Sequence, residues 1–294
     1  MRWRPILHKF EALGNDFLIC FDEDFFRCLT PQIARDLMDR NRGIGADGLI
    51  FGLMSSQSVD TRLEMVLFNC DGSRAQISGN GLRCLGHAAR RFELVGEDVF
   101  KISTDAGLRS ISLKGDSFQD QIDVCVSMGV GKYRSKEFSK QLCVGERIWL
   151  GTELEIGNPH LVFIAQDQLR GSLDDVQVLD GLDITALGRE IEQEYPEGTN
   201  IEWLDIMPGT NRVTMRVWER GVGVTQACGS GSSASGFLLL DQGIKDGAVV
   251  VNNPGGDLLV SMDSLDDEVL LEGPSSYIGT ITLAERFFSD RIRT

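Results

Sequence analysis

The stretch QISGNGLRC at residues 76–84 is answered 150 residues later by QACGSGSSA at 226–234. That shift lays Gln76 on Gln226, Gly79 on Gly229, Gly81 on Gly231 and Gly86 on Gly236. Two further landmarks recur in the same order: GND (14–16) with GNP (157–159), and the loop GIGADG (43–48) with PEGTNI (196–201). Three pairs in order indicate two homologous domains; the alternative is coincidence among 33 glycines. A duplicated fold packs about a pseudo-two-fold axis with its equivalent loops at the cleft. Ser78 and Cys228 are then expected to face each other across one site.

A chain of 294 residues accommodates two domains of ordinary size or one large one. With 42% hydrophobic and 25% charged residues it has globular composition. No run of about 18 apolar residues occurs, which excludes a spanning helix. The start, MRWRPILHKFEALGNDF, has neither a long apolar core nor a small-residue cleavage site, so a soluble cytoplasmic protein without a signal peptide is expected. The formal net charge of −15 argues against a nucleic-acid partner, and a small anionic substrate needs local positive groups. Seven cysteines, odd in number and without C-x-x-C, indicate neither a disulfide framework nor a zinc site. No metal is expected.

Alternation in RVTMRVW (212–218) predicts a half-buried strand, with LEMVLFN (63–69), QIDVCVS (121–127), HLVFIA (160–165) and GAVVVNN (247–253) as further strands. TPQIARDLMDRNRG predicts a helix capped by Thr30, begun at Pro31 and ended by Gly43. DITALGREIEQEY (183–195) predicts another, capped by Asp183. Two more helices begin at the twin glycine loops.

Each glycine loop sets a Ser or Cys just before Gly-x-Gly at a helix start. Free amides and the positive end of the helix dipole favour an anion there. Such a position is expected to lower a cysteine pKa. Neither loop carries the Lys-Ser/Thr of a phosphate-binding loop, and neither completes a dinucleotide fingerprint. Two proton-transfer groups facing each other across a held carboxylate suggest stereoinversion: one removes the α-hydrogen, the other protonates the opposite face. No lysine sits in a cofactor-attachment context, so the helix starts would stabilise the carbanion electrostatically. The competing reading makes both loops helix caps only; it is stronger for Ser78 than for Cys228, since cysteine is a poor cap.

The segments LGNDF (13–17), GIGADGLI (43–50), FNCDGSRAQISGNGLRC (68–84), GNPH (157–160), EGTN (197–200) and ERGVGVTQACGSG (219–231) resemble the motifs of the diaminopimelate epimerase family. The resemblance runs in family order over nearly the whole chain. It implies an α+β fold of two pseudo-two-fold-related domains, each a mostly antiparallel or mixed sheet wrapped around a central helix. The domains would be 1–127 with 278–294, and 128–277, the strand YIGTITL (277–283) returning to the first. It implies a cofactor-independent, pyridoxal-independent epimerase interconverting LL- and meso-diaminopimelate for lysine and peptidoglycan synthesis. It also implies a homodimer, with neither membrane nor nucleic-acid partner.

Carried over motif by motif, Cys228 is one acid/base group, and Ser78 stands where the family has its other cysteine. His160 and Glu219 match the pair that polarises these groups. Asn15, Asn69, Asn158 and Asn200 match substrate-binding asparagines, whose amides both donate and accept. Arg220 would clamp the distal carboxylate, and Glu219 would receive the α-ammonium. Gly79, Asn80, Gly229 and Ser230 would give backbone amides to the α-carboxylate. The sequence departs from the family at Val224, where a glutamate is usual, and Gly48 stands where members differ.

Ser78 is the departure that bears on mechanism. A hydroxyl is a far weaker acid than a thiol, whose ordinary pKa is about 8.5. Three accounts stay open: a substitution that traps substrate or prevents disulfide closure, a compensated serine–cysteine pair, or a paralogue with another substrate or none. The alternatives in function are a proline-type epimerase and a catalytically silent diaminopimelate-binding protein.

Overall fold

Where apolar residues alternate, as in RVTMRVWE and AVVVNN, one face of each strand is buried and the other is not. The computed structural model describes residues 4–54, 61–135, 139–144, 147–165 and 178–287. The chain forms two compact units, Met1–Val126 with Gly273–Thr294, and Ser127–Glu272.

The first unit runs β1 (Ile6–Ala12), β2 (Asn15–Cys20), α1 (Glu23–Cys28), α2 (Pro31–Met38), β3 (Gly48–Met54), β4 (Leu63–Asn69), β5 (Arg74–Ala75), α3 (Gly79–Arg91), β6 (Val99–Thr104), β7 (Gly107–Lys114) and into β8 (Gln121–Val130). The second runs β9 (Lys132–Tyr133), β10 (Lys140–Val144), β11 (Arg147–Ile156), β12 (Asn158–Ile164), α4 (Ile184–Glu192), β13 (Asn200–Ile206), β14 (Arg212–Glu219), β15 (Gly223–Val224), α5 (Gly229–Asp241), β16 (Ala248–Asn253), β17 (Gly256–Ser261) and into β18 (Glu268–Thr282). The expected strands all form. The unit boundaries fall at 126/127 and 272/273, where the sequence reading set 127/128 and 277/278. Residues 273–277 join the first unit because α3 holds them: Arg83 Nε donates to the Pro274 carbonyl and His87 pairs with Ser275. Beyond them Tyr277–Thr282 runs antiparallel to β1.

The two units share one pairing scheme. In the first, β1–β2 is antiparallel, β2–β3 parallel, β3–β4 and β4–β5 antiparallel, β4–β6 parallel and β6–β7 antiparallel. In the second, β11–β12, β12–β13, β13–β14, β14–β15, β14–β16 and β16–β17 follow the same sequence of senses.

Each unit encloses a 13-residue helix against its strands, buried from Gly79 to Ala89 in α3 and from Gly229 to Leu239 in α5. Small residues let the strands approach. A Cβ on Gly86 would lie 2.7 Å from Ile111, and one on Gly236 would lie 2.4 Å from Val260. The serines of α5 are satisfied inside the core, Ser233 Oγ donating to the Gly229 carbonyl and Ser232 Oγ accepting from Asn253.

Thr30 and Asp183 cap their helices, accepting from the Ile33 and Ala186 amides. α2 stops at Met38, short of the expected Gly43. Asp39 is the reason: its carboxylate accepts the Asn41 and Arg42 amides and turns the chain. α4 likewise ends at Glu192, before Tyr195. Among the described residues no helix is long and apolar enough to cross a membrane.

Gly86→Ala and Gly236→Ala are each expected to destabilise the protein by about 1–3 kcal/mol through overpacking, read as a lower denaturation midpoint. An unchanged midpoint in both would show that the helix–strand approach is not tight.

Candidate functional site

In the first unit the chain reaches α3 in an extended conformation at Ser78 (φ −142°, ψ 121°). Ser78 Oγ accepts the Gly81 amide at 3.1 Å, so the hydroxyl caps the helix. Gly79 and Asn80 follow, both buried, in the first turn. A side-chain chain runs away from this turn. Asn80 Nδ2 donates to Asn15 Oδ1 (3.2 Å), and Asn15 Nδ2 donates to Asp47 Oδ2 (2.9 Å). Asn80 Oδ1 accepts from Arg83 Nη2 at 2.9 Å.

Arg83 is fully buried, and its Nη1 has no hydrogen-bond partner among the described residues. Burial pushes the guanidinium down to about 10, still cationic at neutral pH. A positive charge therefore stands against Asn80 of the first turn of α3. The GND and GIGADG loops are tied by Arg40, which bonds Asp16 and Asp47. Burial raises the Asp16 carboxyl, but Arg40 and Lys9 outweigh it and hold it at about 2. Asn69 ends β4 and donates to Ser73 Oγ at 3.1 Å. Gly48 has a packing reason to be glycine: a Cβ there would lie 2.8 Å from the Phe17 ring.

In the second unit Cys228 holds the position of Ser78. Its Sγ accepts the Gly231 amide at 3.3 Å and lies 3.5 Å from Ser230 Oγ, and the residue is 4% exposed. Glu219, at the end of β14, accepts the Thr225 hydroxyl, and its charge bears on Cys228. Burial pushes the Glu219 carboxyl above its ordinary range.

The expectation that the helix start lowers the Cys228 pKa is corrected here. Burial and the carboxylates of Glu219 and Glu202 push the thiol well up, outweighing the Gly231 amide and the Ser230 hydroxyl. In this state Cys228 is a thiol.

His160 is buried beside them. Its Nδ1 lies 2.8 Å from Glu202 Oε1 and its Nε2 lies 2.7 Å from Asn158 Oδ1. Glu202 escaped the sequence reading, although an acid in the apolar strand NIEWL was the signal available. Asn200 works as a clamp: its Oδ1 accepts the Arg220 amide at 3.0 Å and its Nδ2 donates to the Pro159 carbonyl at 3.2 Å. The Arg220 side chain lies flat on the EGTN loop, where a Cβ on Gly198 (φ 73°) would be 2.3 Å from its Cδ. Its Nη1 donates to the Glu197 carbonyl at 3.3 Å, and it makes no ion pair among the described residues. Val224 is exposed on β15.

The second unit thus gathers Cys228, Ser230, Glu219, His160 and Asn158, with Glu202 behind His160. The first gathers Asn15, Asn80 and Arg83 at the helix that Ser78 caps. The opening amides of α3 and α5 have no partner within their helices and suit a carboxylate. Among the described residues no three His, Cys, Asp or Glu side chains group as metal ligands.

The model of the family described as diaminopimelate epimerase matches the chain twice, at residues 8–133 and 153–278. A diaminopimelate epimerase of Synechococcus sp. (strain JA-3-3Ab) is 34% identical over 298 residues, covering 96% of this chain and 99% of that protein. Another, from Synechocystis sp., is 34% identical over 282 residues, covering 92% and 95%. Among solved structures, a probable proline racemase from Agrobacterium radiobacter K84 superposes with a TM-score of 0.73 at 14% identity, covering 98% of this chain and 95% of that one. A hydroxyproline epimerase from Agrobacterium vitis gives 0.72 at 16% identity, covering 97% and 94%. At those identities the structures show the shared fold.

The state of Cys228 can be read chemically. At pH 7.5 iodoacetamide is expected to alkylate the exposed Cys28, Cys70 and Cys143 well before Cys228, and raising the pH to 9 should leave Cys228 slow. Peptide mass mapping checks this; Cys228 modified first would mean that its thiolate is already formed at neutral pH.

Proposed function

The chain belongs to the diaminopimelate epimerase family, and we propose that it interconverts LL- and meso-diaminopimelate by proton transfer at the α-carbon, with Cys228 and Ser78 as the two proton-transfer groups. It is then an amino-acid epimerase, an isomerase working without pyridoxal. The observation that carries this is the cluster in the second unit: a cysteine capping a buried helix, within the electrostatic reach of the buried Glu219.

The α-carboxylate binds at the opening turns of the two glycine-rich helices, on the amides of Gly79, Asn80, Gly229 and Ser230. The α-ammonium sits on Glu219. There it cancels the negative charge that helps hold the Cys228 thiol up, so substrate arrival itself favours the thiolate. One group removes the α-proton, and the C–H electron pair passes into the α-carbon and its carboxylate. The amides and helix dipoles stabilise that charge. The other group returns a proton to the opposite face, so no proton or electron is gained overall. Solvent exchange resets both groups.

Arg220, without an acidic partner among the described residues, takes the distal carboxylate as a bidentate fork. A proline-type substrate offers nothing to that fork, which favours the diamino dicarboxylic acid. Asn15, Asn69 and Asn158 contact the polar ends of the substrate, and Asn200 holds the backbone that presents Arg220. The step served by Ser78 is the slow one, because a hydroxyl is the weaker acid and a poor stored base. The two units descend from one duplicated domain, and the enzyme works as a cytoplasmic homodimer supplying lysine and peptidoglycan synthesis.

Incubation with LL- or meso-diaminopimelate in D2O, followed by NMR at the α-hydrogen, tests this. Exchange with inversion is expected in the parent, and a rate about 10²-fold or more higher in Ser78→Cys. Activity appearing only in Ser78→Cys would remove Ser78 as a proton-transfer group. No exchange in either protein would overturn the substrate assignment.

A further inference from the structure

Glu202 is a carboxylate in the middle of a buried strand, completely shielded from solvent together with His160. Its Oε1 meets His160 Nδ1 at 2.8 Å, and its Oε2 has no hydrogen-bond partner among the described residues. Such a pair is a weak way to stabilise a fold, since the desolvation cost offsets most of the attraction. The duplication supplies an internal control for whether the fold requires it. In the first unit the parallel ladder pairs Phe17 with Gly48, and Ile50 stands two residues on. In the second unit the same ladder pairs His160 with Asn200, and Glu202 stands two residues on. The positions match at the helix as well: Ile50 is the side chain nearest a Cβ on Gly81 (3.0 Å), and Glu202 Oε1 is the atom nearest a Cβ on Gly231 (2.5 Å). One copy of the fold fills this place with phenylalanine and isoleucine, the other with histidine and glutamate.

A charge that the architecture does without, and that lies behind the Cys228 cluster, has a chemical reason to be there. Building on the epimerase function, we propose that Glu202 is a positioning residue for proton transfer. Its carboxylate holds the Nδ1 proton of His160 and so turns Nε2 toward Asn158 and the substrate. A carboxylate oxygen can only accept, which fixes the proton on Nδ1. The other ring nitrogen faces an amide oxygen, Asn158 Oδ1 at 2.7 Å, so the ring proton that comes and goes is the one Nε2 donates there. The groups facing the pair are Glu219 and Cys228, both of which feel the Glu202 charge. Holding that charge against His160 limits how far it opposes the thiolate. Gly231 is needed as glycine because the carboxylate occupies the space of its side chain.

The test uses Glu202→Gln and Glu202→Ile, the latter installing the residue of the other unit, alone and combined with His160→Phe. Nitrogen-15 histidine NMR should find Nδ1 protonated in the parent and that proton lost from Nδ1 in Glu202→Ile. kcat should fall about 10²-fold with KM within about twofold. In the His160→Phe background, Glu202→Ile should cost no further activity. The double variant, which copies Phe17 and Ile50, should melt no lower than His160→Phe alone. A parent ring protonated on Nε2 alone would overturn the proposal, as would a Glu202→Ile loss that persists undiminished in the His160→Phe background. If the parent turns over no diaminopimelate, the tautomer measurement still decides the role of Glu202, and the failure falls on the proposed substrate alone.

Discussion

The structure turns on a helix start buried inside each unit. A first turn leaves backbone amides without intrahelical partners, and burying them apart from water is costly unless something negative or polar meets them. One such amide is met by the cap, Ser78 Oγ in one unit and Cys228 Sγ in the other. The amides left over make a carboxylate the natural guest. Glycines at 81 and 231 leave room for Ile50 and Glu202 against the first turns, and Gly86 and Gly236 let the strands close on the same helices. Fold and site are therefore consequences of one arrangement.

The copies share their hydrogen-bonding scheme and differ in electrostatics. The first unit buries the Arg83 guanidinium against Asn80 at its helix start, and Asn15 adjoins Asn80. The second surrounds its helix start with Glu219, Glu202 and His160 and a thiol held in its neutral form. The first environment favours negative charge and the second resists it. The proposed epimerisation has a use for that inequality, because one group gives a proton while the other takes it.

Much of this was legible in the sequence. The glycine pairs at 79/229, 81/231 and 86/236 announced the duplication, and the caps Thr30 and Asp183 announced two helix starts. The family motifs supplied Cys228, Ser78, Glu219, Arg220 and the asparagines as expectations, and they enter the proposed function as such. What stayed hidden depends on three-dimensional burial. The acidity of Cys228 was misjudged because burial, and then carboxylates from two different strands, push its thiol up, which no local pattern displays. Glu202 was passed over because a single acid in an apolar run reads as strand, and its partner His160 lies 42 positions away. The early end of α2 came from Asp39 bonding its own following amides, a local contest that periodicity does not weigh.

The central claim is that two different groups serve the two faces of one carbon. Deuterium partition at early times measures this directly. LL-diaminopimelate would be converted in D2O to a few per cent, and deuterium at the α-carbon would be quantified separately in the meso product and in recovered LL substrate; the converse run would start from meso. Two single-proton groups predict deuterium in the product from the first turnovers while recovered substrate keeps its protium, in both directions. Protium retained in the product, or equal deuterium in product and recovered substrate, would mean that one group serves both faces and would contradict the account.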